Sequence, residues 1–482
     1  MNRLLNWWDY LNINIYWFGL TSISQTMTPL VVPLLVQQFV GEKLKGTYYG
    51  NLRLWELMTA LLVKALMGLL SDRSSLTWGR RRPFIAIGTL GDIVVIFLIG
   101  LSSGMEGISG YWFLFSMILL LMFFSNIAHA AQQGLIPDLV PLYKRGRFSS
   151  IKAIFEIPLP VILVGLTIGR MVKNGNIWGG LFTLIAILIV TAGITMFVRE
   201  ERPSKPTQPL NLQPFLRLLL MTAAFTTTIL AIGQIVRWVS RVTANLPDQS
   251  YLFLTSAAGF LGMAVAIFLG VYFSIYLSLG SEQVKNRSFT WWVINRLAFL
   301  VGATNLISFT LYFLQARLGY RQQEAAGPAA TLTIFLGAFI FLAAIPSGWL
   351  SDRFGRKIIV AISGVLAATG TAIVTLIPNL TVIYIGSCII GAAAGLFYTA
   401  NWALGTEIVP REQAGRFLGI SNLAGAGAGA VGAYIGGPLA DSITAHIVAP
   451  AGIGYIVLFA IYGLLFLLST FALFGVRLHK SA

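Results

Sequence analysis

Gly68-Leu69-Leu70-Ser71-Asp72-Arg73 recurs in the second half of the chain as Gly348-Trp349-Leu350-Ser351-Asp352-Arg353. A basic cluster follows each copy: Gly79-Arg80-Arg81-Arg82 and Gly355-Arg356-Lys357. A second element recurs behind the first. Asp138-Leu139-Val140-Pro141 with Gly146-Arg147-Phe148 matches Glu407-Ile408-Val409-Pro410 with Gly415-Arg416-Phe417. Two elements repeated in the same order are the mark of an internal duplication. The first follows the second long apolar run of its half, and the second follows the fourth.

The runs between these loops define the fold class. Hydrophobic residues make up 56% of the 482 positions and charged residues 10%, too few to cover the surface of two or three soluble domains. A membrane-crossing helix needs about 20 mostly apolar residues. Spans are expected near 13–36, 49–70, 84–104, 111–133, 148–169, 177–198, 216–238, 251–279, 292–314, 327–350, 358–377, 380–404, 416–438 and 452–475. This predicts an all-α membrane protein with 14 spans. Transmembrane β-strands are excluded, because the runs are twice too long and do not alternate.

The net charge of +16 comes from short basic clusters between apolar runs, which reads as a topology signal rather than a nucleic-acid surface. Lys and Arg concentrate on one set of loops, so both termini are expected in the cytoplasm, in a plasma or inner membrane. Cys388 is the single cysteine, so no disulfide can form within the chain. No cleavable signal peptide is expected, because Trp7, Trp8 and Asp9 lead into a span too long for one. The duplication gives a division into 1–198, a six-helix bundle; 199–291, a cytoplasmic linker with two extra spans; and 292–482, a second six-helix bundle. The stretch 216–238, with Arg217 and Arg237, can alternatively be read as lying on the membrane surface. That would leave an odd span count and invert the second half against its own charges.

The duplicated Gly-x-x-x-Asp-Arg loop with its following Gly-Arg cluster resembles the hallmark of the major facilitator superfamily. The resemblance covers most of the chain outside the middle pair. It implies two parallel six-helix bundles around a central cavity lined by the first, fourth, seventh and tenth helices of the superfamily. The first loop, Ser71-Asp72-Arg73-Ser74-Ser75-Leu76-Thr77-Trp78-Gly79-Arg80-Arg81-Arg82-Pro83-Phe84-Ile85, is longer than the second. This form is similar to the sucrose transporters and the glycoside–pentoside–hexuronide symporters, which implies sugar transport driven by protons or sodium. Sodium-using members carry carboxylates where this chain has Lys64 and Ala60. A lysine cannot ligate a hard cation, so no sodium site is expected.

The loop residues have a physical reading of their own. Asp72 and Asp352 are carboxylates placed to meet the positive N-terminal ends of helices that begin near Phe417 and Phe148. Arg81, Arg82 and Arg147 can pair with Asp138, and Arg356 and Arg416 with Glu407. With Arg73 and Arg353 these form the expected gating set, favouring an outward-open state when made. The alternative is that they only solvate the loops and set topology.

Ionisable residues inside spans are costly, about 2.5–3.5 kcal/mol each at a helix centre, and are functional candidates by default. The first half holds Arg53, Glu56, Lys64, Asp92, His129, Lys152 and Glu156; the second offers Arg296. By rise per residue, Lys64 and Asp92 lie at roughly similar depths, about 9 and 12 Å, so they can pair. Arg53 and Glu56 read either as an exposed i,i+3 pair or as an outer-gate contact. Lys152 and Glu156 share a helix face, before Pro158 and Pro160, which should kink the span. Glu156 leads the expected proton-coupling set, with His129, Lys152 and Glu56. A closed Lys152–Glu156 pair that only stiffens the bundle is the alternative. For a sugar, hydrogen-bonding groups beside aromatic faces are needed. Gln25, Asn126, Asn305, Tyr312, Tyr398, Asn401 and Trp402 supply them, and Trp17, Ser22 and Thr28 are further candidates on the first span.

Gly427-x-Gly429-x-x-Gly432 has dinucleotide-loop spacing but sits inside an apolar helix, where small-residue packing explains it. No P-loop, metal-ligand spacing or nucleophile–base constellation is present, so neither an ATP-driven pump nor an enzyme is expected, and no cofactor. The expected function is secondary transport of a sugar or glycoside, coupled to a proton, with the bilayer and a small solute as partners. The alternatives are an exporter of drugs or metabolites, or a membrane assembly or carrier protein without a transport cycle.

Overall fold

A computed structural model describes residues 6–74, 76, 78–200, 212–279, 287–409, 414–447 and 450–477, with backbone alone for 278–279 and 414–424. The described chain is helical from end to end. α1 is Trp7–Val40, α2 Lys45–Asp72, α3 Arg82–Ser102, α4 Gly107–Leu139, α5 Leu142–Lys173 and α6 Ile177–Thr195. The middle pair follows as α7, Gln213–Asn245, and α8, Asp248–Leu279. α9 is a bent pair, Arg287–Ser308 and Thr310–Leu318, inclined by 64°. Then come α10 Ala326–Phe354, α11 Arg356–Leu376, α12 Leu380–Ile408, α13 Ala414–His446 and α14 Ile453–Gly475.

Among the described residues, twelve helices are long and apolar enough to cross a membrane, or thirteen when the bent pair is one span. The sequence predicts fourteen. The remaining expected crossing, 416–438, falls in α13, whose first eleven side chains lie outside the described residues.

The breaks have local causes. Pro29 has no N–H, so the carbonyl of Gln25 loses its helical donor, and the chain widens into a π turn over Met27–Val31. In α5, Pro158 and Pro160 withdraw donors from the carbonyls of Ile154 and Glu156. The helix is interrupted at Ile157, as the two prolines predict, and again at Thr167.

By packing, the chain divides into two compact units. One is Met1–Phe39 with Thr59–Phe215; the other is Val40–Met58 with Leu216–Ala482. In the first unit, Tyr16, Ile85, Ala128, Leu135 and Phe148 form a fully buried core, and the Tyr10 ring stacks on Phe148 at 4.1 Å. In the second, Phe299 stacks on Phe397 at 3.6 Å and meets Phe466 at 4.9 Å, tying α9, α12 and α14 together. The first turns of α2 press against α13 in this unit. A side chain at Gly50 would strike the backbone of Ala433, and one at Gly437 the backbone of Gly46, so only small residues allow the approach.

Candidate functional site

At the start of α3, one arginine gathers the first copy of the duplicated motif. Arg81 donates through Nε to Asp138 at 2.8 Å, through Nη1 to the Ser71 hydroxyl at 2.6 Å and through Nη2 to Asp72. Gly134 leaves room for its guanidinium; a Cβ there would collide with it. Burial works against the Arg81 charge, but Asp138 and Asp72 outweigh it and raise its pKa above the ordinary value. The expected Arg81–Asp138 pair is thus present. Asp72 is half-exposed and accepts from Arg81 and, at 3.4 Å, from Arg80. Arg82 turns elsewhere, to the carbonyls of Trp78, Met196 and Val198. Arg73 reaches the Leu69 carbonyl at 3.4 Å.

Glu200 is the residue that sequence reasoning missed here. Its carboxylate accepts the backbone N–H groups of Arg81 (2.7 Å) and Arg82 (3.2 Å), at the positive end of α3. Its position in an apparent linker concealed it. In the second unit, Arg356 reaches Glu407 at 3.4 Å, as expected. Asp352 is exposed, and Arg353 lies over Trp349 at 5.3 Å. The Arg416 side chain and the helix start near Phe417 lie outside the described side chains.

Deeper in the first unit, four helices bring chemistry together. Lys64 on α2 lies 2.9 Å from His129 Nε2 on α4. His129 meets the edge of Trp17 on α1 at 5.1 Å. Lys152 on α5 sits over the Trp17 ring at 3.9 Å and 3.4 Å from Glu156. The expected Lys64–Asp92 pair is not formed. Asp92 is fully buried and accepts from Ser125 at 2.8 Å, because Ser125 projects from the face of α4 that packs on α3. Of the other first-half candidates, Gln25 is half-buried beside the π turn. Asn126 is buried and donates to its own helix, at Met122 O.

In the second unit, Arg296 donates to Asn401 Oδ1 at 3.0 Å and lies over the Trp402 ring at 5.4 Å. Asn401 is fully buried and donates to Asn295 Oδ1 at 2.7 Å, and Asn295 in turn donates to Ser469. Tyr398 and Trp402 remain partly exposed. Asn305 is fully buried, donating to Val301 O and Ala428 O between α9 and α13. Tyr312 is fully buried against Tyr49 and Tyr455, under the Lys45 ammonium. Packing thus takes up Asn305 and Tyr312, whose side chains are shared between helices. Arg53 and Glu56 form a buried 2.7 Å ion pair in this unit, not an exposed one.

A second missed residue is Asp441. It accepts the N–H groups of Gly46 (3.1 Å) and Thr47 (2.6 Å), the Thr47 hydroxyl (2.8 Å) and the Tyr455 hydroxyl (2.7 Å). It caps α2 from α13, a pairing that no local pattern announces.

Residues 297–482 match the model of the Major Facilitator Superfamily. The chain is 26% identical over 186 residues to the lactose permease of Lactobacillus helveticus (35% of this chain, 29% of that protein). It is 31% identical over 161 residues to the multidrug resistance protein MdtG of Enterobacter lignolyticus (strain SCF1), covering 33% of this chain and 37% of that protein. These matches therefore span about a third of each relative's length. A crystal structure of a D-xylose-proton symporter superposes with TM-score 0.63 over 98% of both chains at 17% identity, a likeness of fold. The family match thus falls in the second half of an all-helical membrane chain, and over the whole length the likeness to the solved structure is one of fold.

Proposed function

We propose that this protein is a secondary transporter that moves a small polar solute, a sugar or glycoside, by alternating access and with proton coupling. In this reading fourteen crossings form two six-helix bundles, 1–198 and 292–482, joined by 199–291. Both termini lie in the cytoplasm of a plasma or inner membrane. The duplicated loops serve as the cytoplasmic gate, and Arg296, Tyr398 and Trp402 form the second-half wall of the solute site, with Asn401 holding Arg296 from behind. The likeness to a lactose permease supports the solute class. The match to the multidrug resistance protein MdtG favours a second reading, export of drugs or metabolites.

The observation that carries the proposal is the convergence of Lys64, His129, Lys152 and Glu156 around Trp17, within spans where each charge is costly. Arg53 and Glu56 form a closed pair, each side chain 8% exposed. Here Lys152 and Glu156 keep 26% and 35% exposure. Glu156 is the proton carrier in this reading. Glu156→Gln should abolish uphill accumulation in proteoliposomes while solute exchange persists, because the amide mimics the protonated acid. Retained accumulation in this variant removes Glu156 from the mechanism. Loss of accumulation and exchange together, with lowered stability, assigns it to a structural pair with Lys152.

A further inference from the structure

We propose that Lys64, Lys152, His129 and Trp17 form a receptor for a carboxylate on the transported solute, with Glu156 occupying Lys152 when no solute is bound. The inference rests on the transporter reading and narrows its solute to an anion.

The hydrogen-bond inventory leads there. An ammonium has three donors and no acceptor. With Lys64 as an ammonium, His129 Nε2 is the acceptor in their 2.9 Å contact, and the ring then carries its proton on Nδ1. Lys152 brings a second ammonium, held over the Trp17 ring. Trp17 is only 3% exposed, yet its Nε1–H has no acceptor among the described residues. A buried donor left unmatched costs about 1–3 kcal/mol, so it calls for an oxygen. The cluster offers donors from three helices, and its one acceptor of charge is Glu156.

The charges give the same answer. Lys152 and Glu156 act on Lys64, and Lys64 and Lys152 act on His129. Two ammoniums face one carboxylate. Asp92, on the adjacent α3, is turned to Ser125. Among the described residues of the cluster, one positive charge is left over at a depth where lipid would not tolerate it, so a counter-charge is called for. A neutral polyol brings hydroxyls that donate as much as they accept, and it leaves that charge in place. A carboxylate neutralises it and accepts from both ammoniums and the indole. Bound there, it competes with Glu156 for Lys152. Protonation of Glu156 releases Lys152 to the solute, so proton and anion favour each other's binding.

The test compares matched acids and alcohols on the purified full chain: D-gluconate with sorbitol, D-glucuronate with glucose, and lactate with propane-1,2-diol. Binding is read by thermal shift and calorimetry, and uptake in proteoliposomes. At least one acid should bind roughly tenfold or more tightly than its alcohol. Lys64→Gln and Lys152→Gln should each weaken that acid by a similar factor, and by more than they weaken its alcohol, and Lys152→Arg should restore much of the loss. Glu156→Gln should strengthen acid binding, which loss of a structural pair would not do. Equal binding of acids and alcohols, no acid binding, or an undiminished acid affinity in Lys152→Gln overturns the inference. Uptake of the alcohols without preference for acids overturns it while leaving transport intact. Acid binding that follows the predicted variants, with no uptake of any compound, supports the receptor and overturns the transporter reading instead.

Discussion

Arg81 uses each arm of its guanidinium in a different direction: Asp138, Ser71 and Asp72. The planar fork matters as much as the charge. A lysine would keep the positive charge but could not span three acceptors at once, leaving the Ser71 hydroxyl and one carboxylate to find new partners. Arg81→Lys should therefore lower stability by about 1–3 kcal/mol, nearly as much as Arg81→Gln. Thermal unfolding of the purified variants decides this, and a wild-type melting temperature for Arg81→Lys would show that charge alone suffices. The Arg81–Asp138 pair was legible in the sequence because both residues belong to a repeated motif. Glu200 was not, since a carboxylate outside any motif looks like linker until the chain folds back onto the start of α3.

Helix α2 shows what an element gains from a partner distant in sequence. The first N–H groups of any helix lack partners within it. For α2, Asp441 supplies acceptors to Gly46 and Thr47, and small residues on both helices allow the approach. Asp441→Asn replaces one accepting oxygen with a donor that would face N–H or O–H groups. Charge-assisted bonds are lost and a repulsive contact is created, so unfolding should come earlier, by about 1–3 kcal/mol. Thr47→Val, which removes a single hydroxyl, should cost less. Equal stability of Asp441→Asn and the native chain in a detergent melt would exclude the capping role. The length of the apolar runs predicted that α2 and α13 exist, and the glycine spacing predicted close packing. It could not predict which helix meets which, because Asp441 lies in another repeat and its local surroundings are unremarkable.

For the whole molecule, the fold was more legible than the site. Span length and the duplicated loops are local signals and recur, so they survive reading one residue at a time. The site is built from single residues on separate helices, and depth along a span does not say which face a side chain takes. Thus Lys64 and Asp92, matched in depth, point to different neighbours, while Lys64 finds His129. The count of crossings is the question that binds the molecule together. Among the described residues twelve or thirteen helices pass on length and apolarity, and α13 lies where the fourteenth is expected. The proposed count of fourteen rests on parity. With fourteen crossings, both duplicated basic loops face the same side, and the two ends of the chain do as well. With thirteen, either the second loop cluster, Arg353, Arg356 and Lys357, or the C-terminal Arg477 and Lys480 would be carried to the opposite face, against the excess of Lys and Arg that sets orientation. Reporters active only in the cytoplasm, fused at each end and inserted at 78 and at 355, should therefore all be active in the same cells. Activity at the N-terminus and at 78 but not at 355 would mean an odd number of crossings before the second half. Activity at 355 but not at the C-terminus would place α13 outside the set of spans.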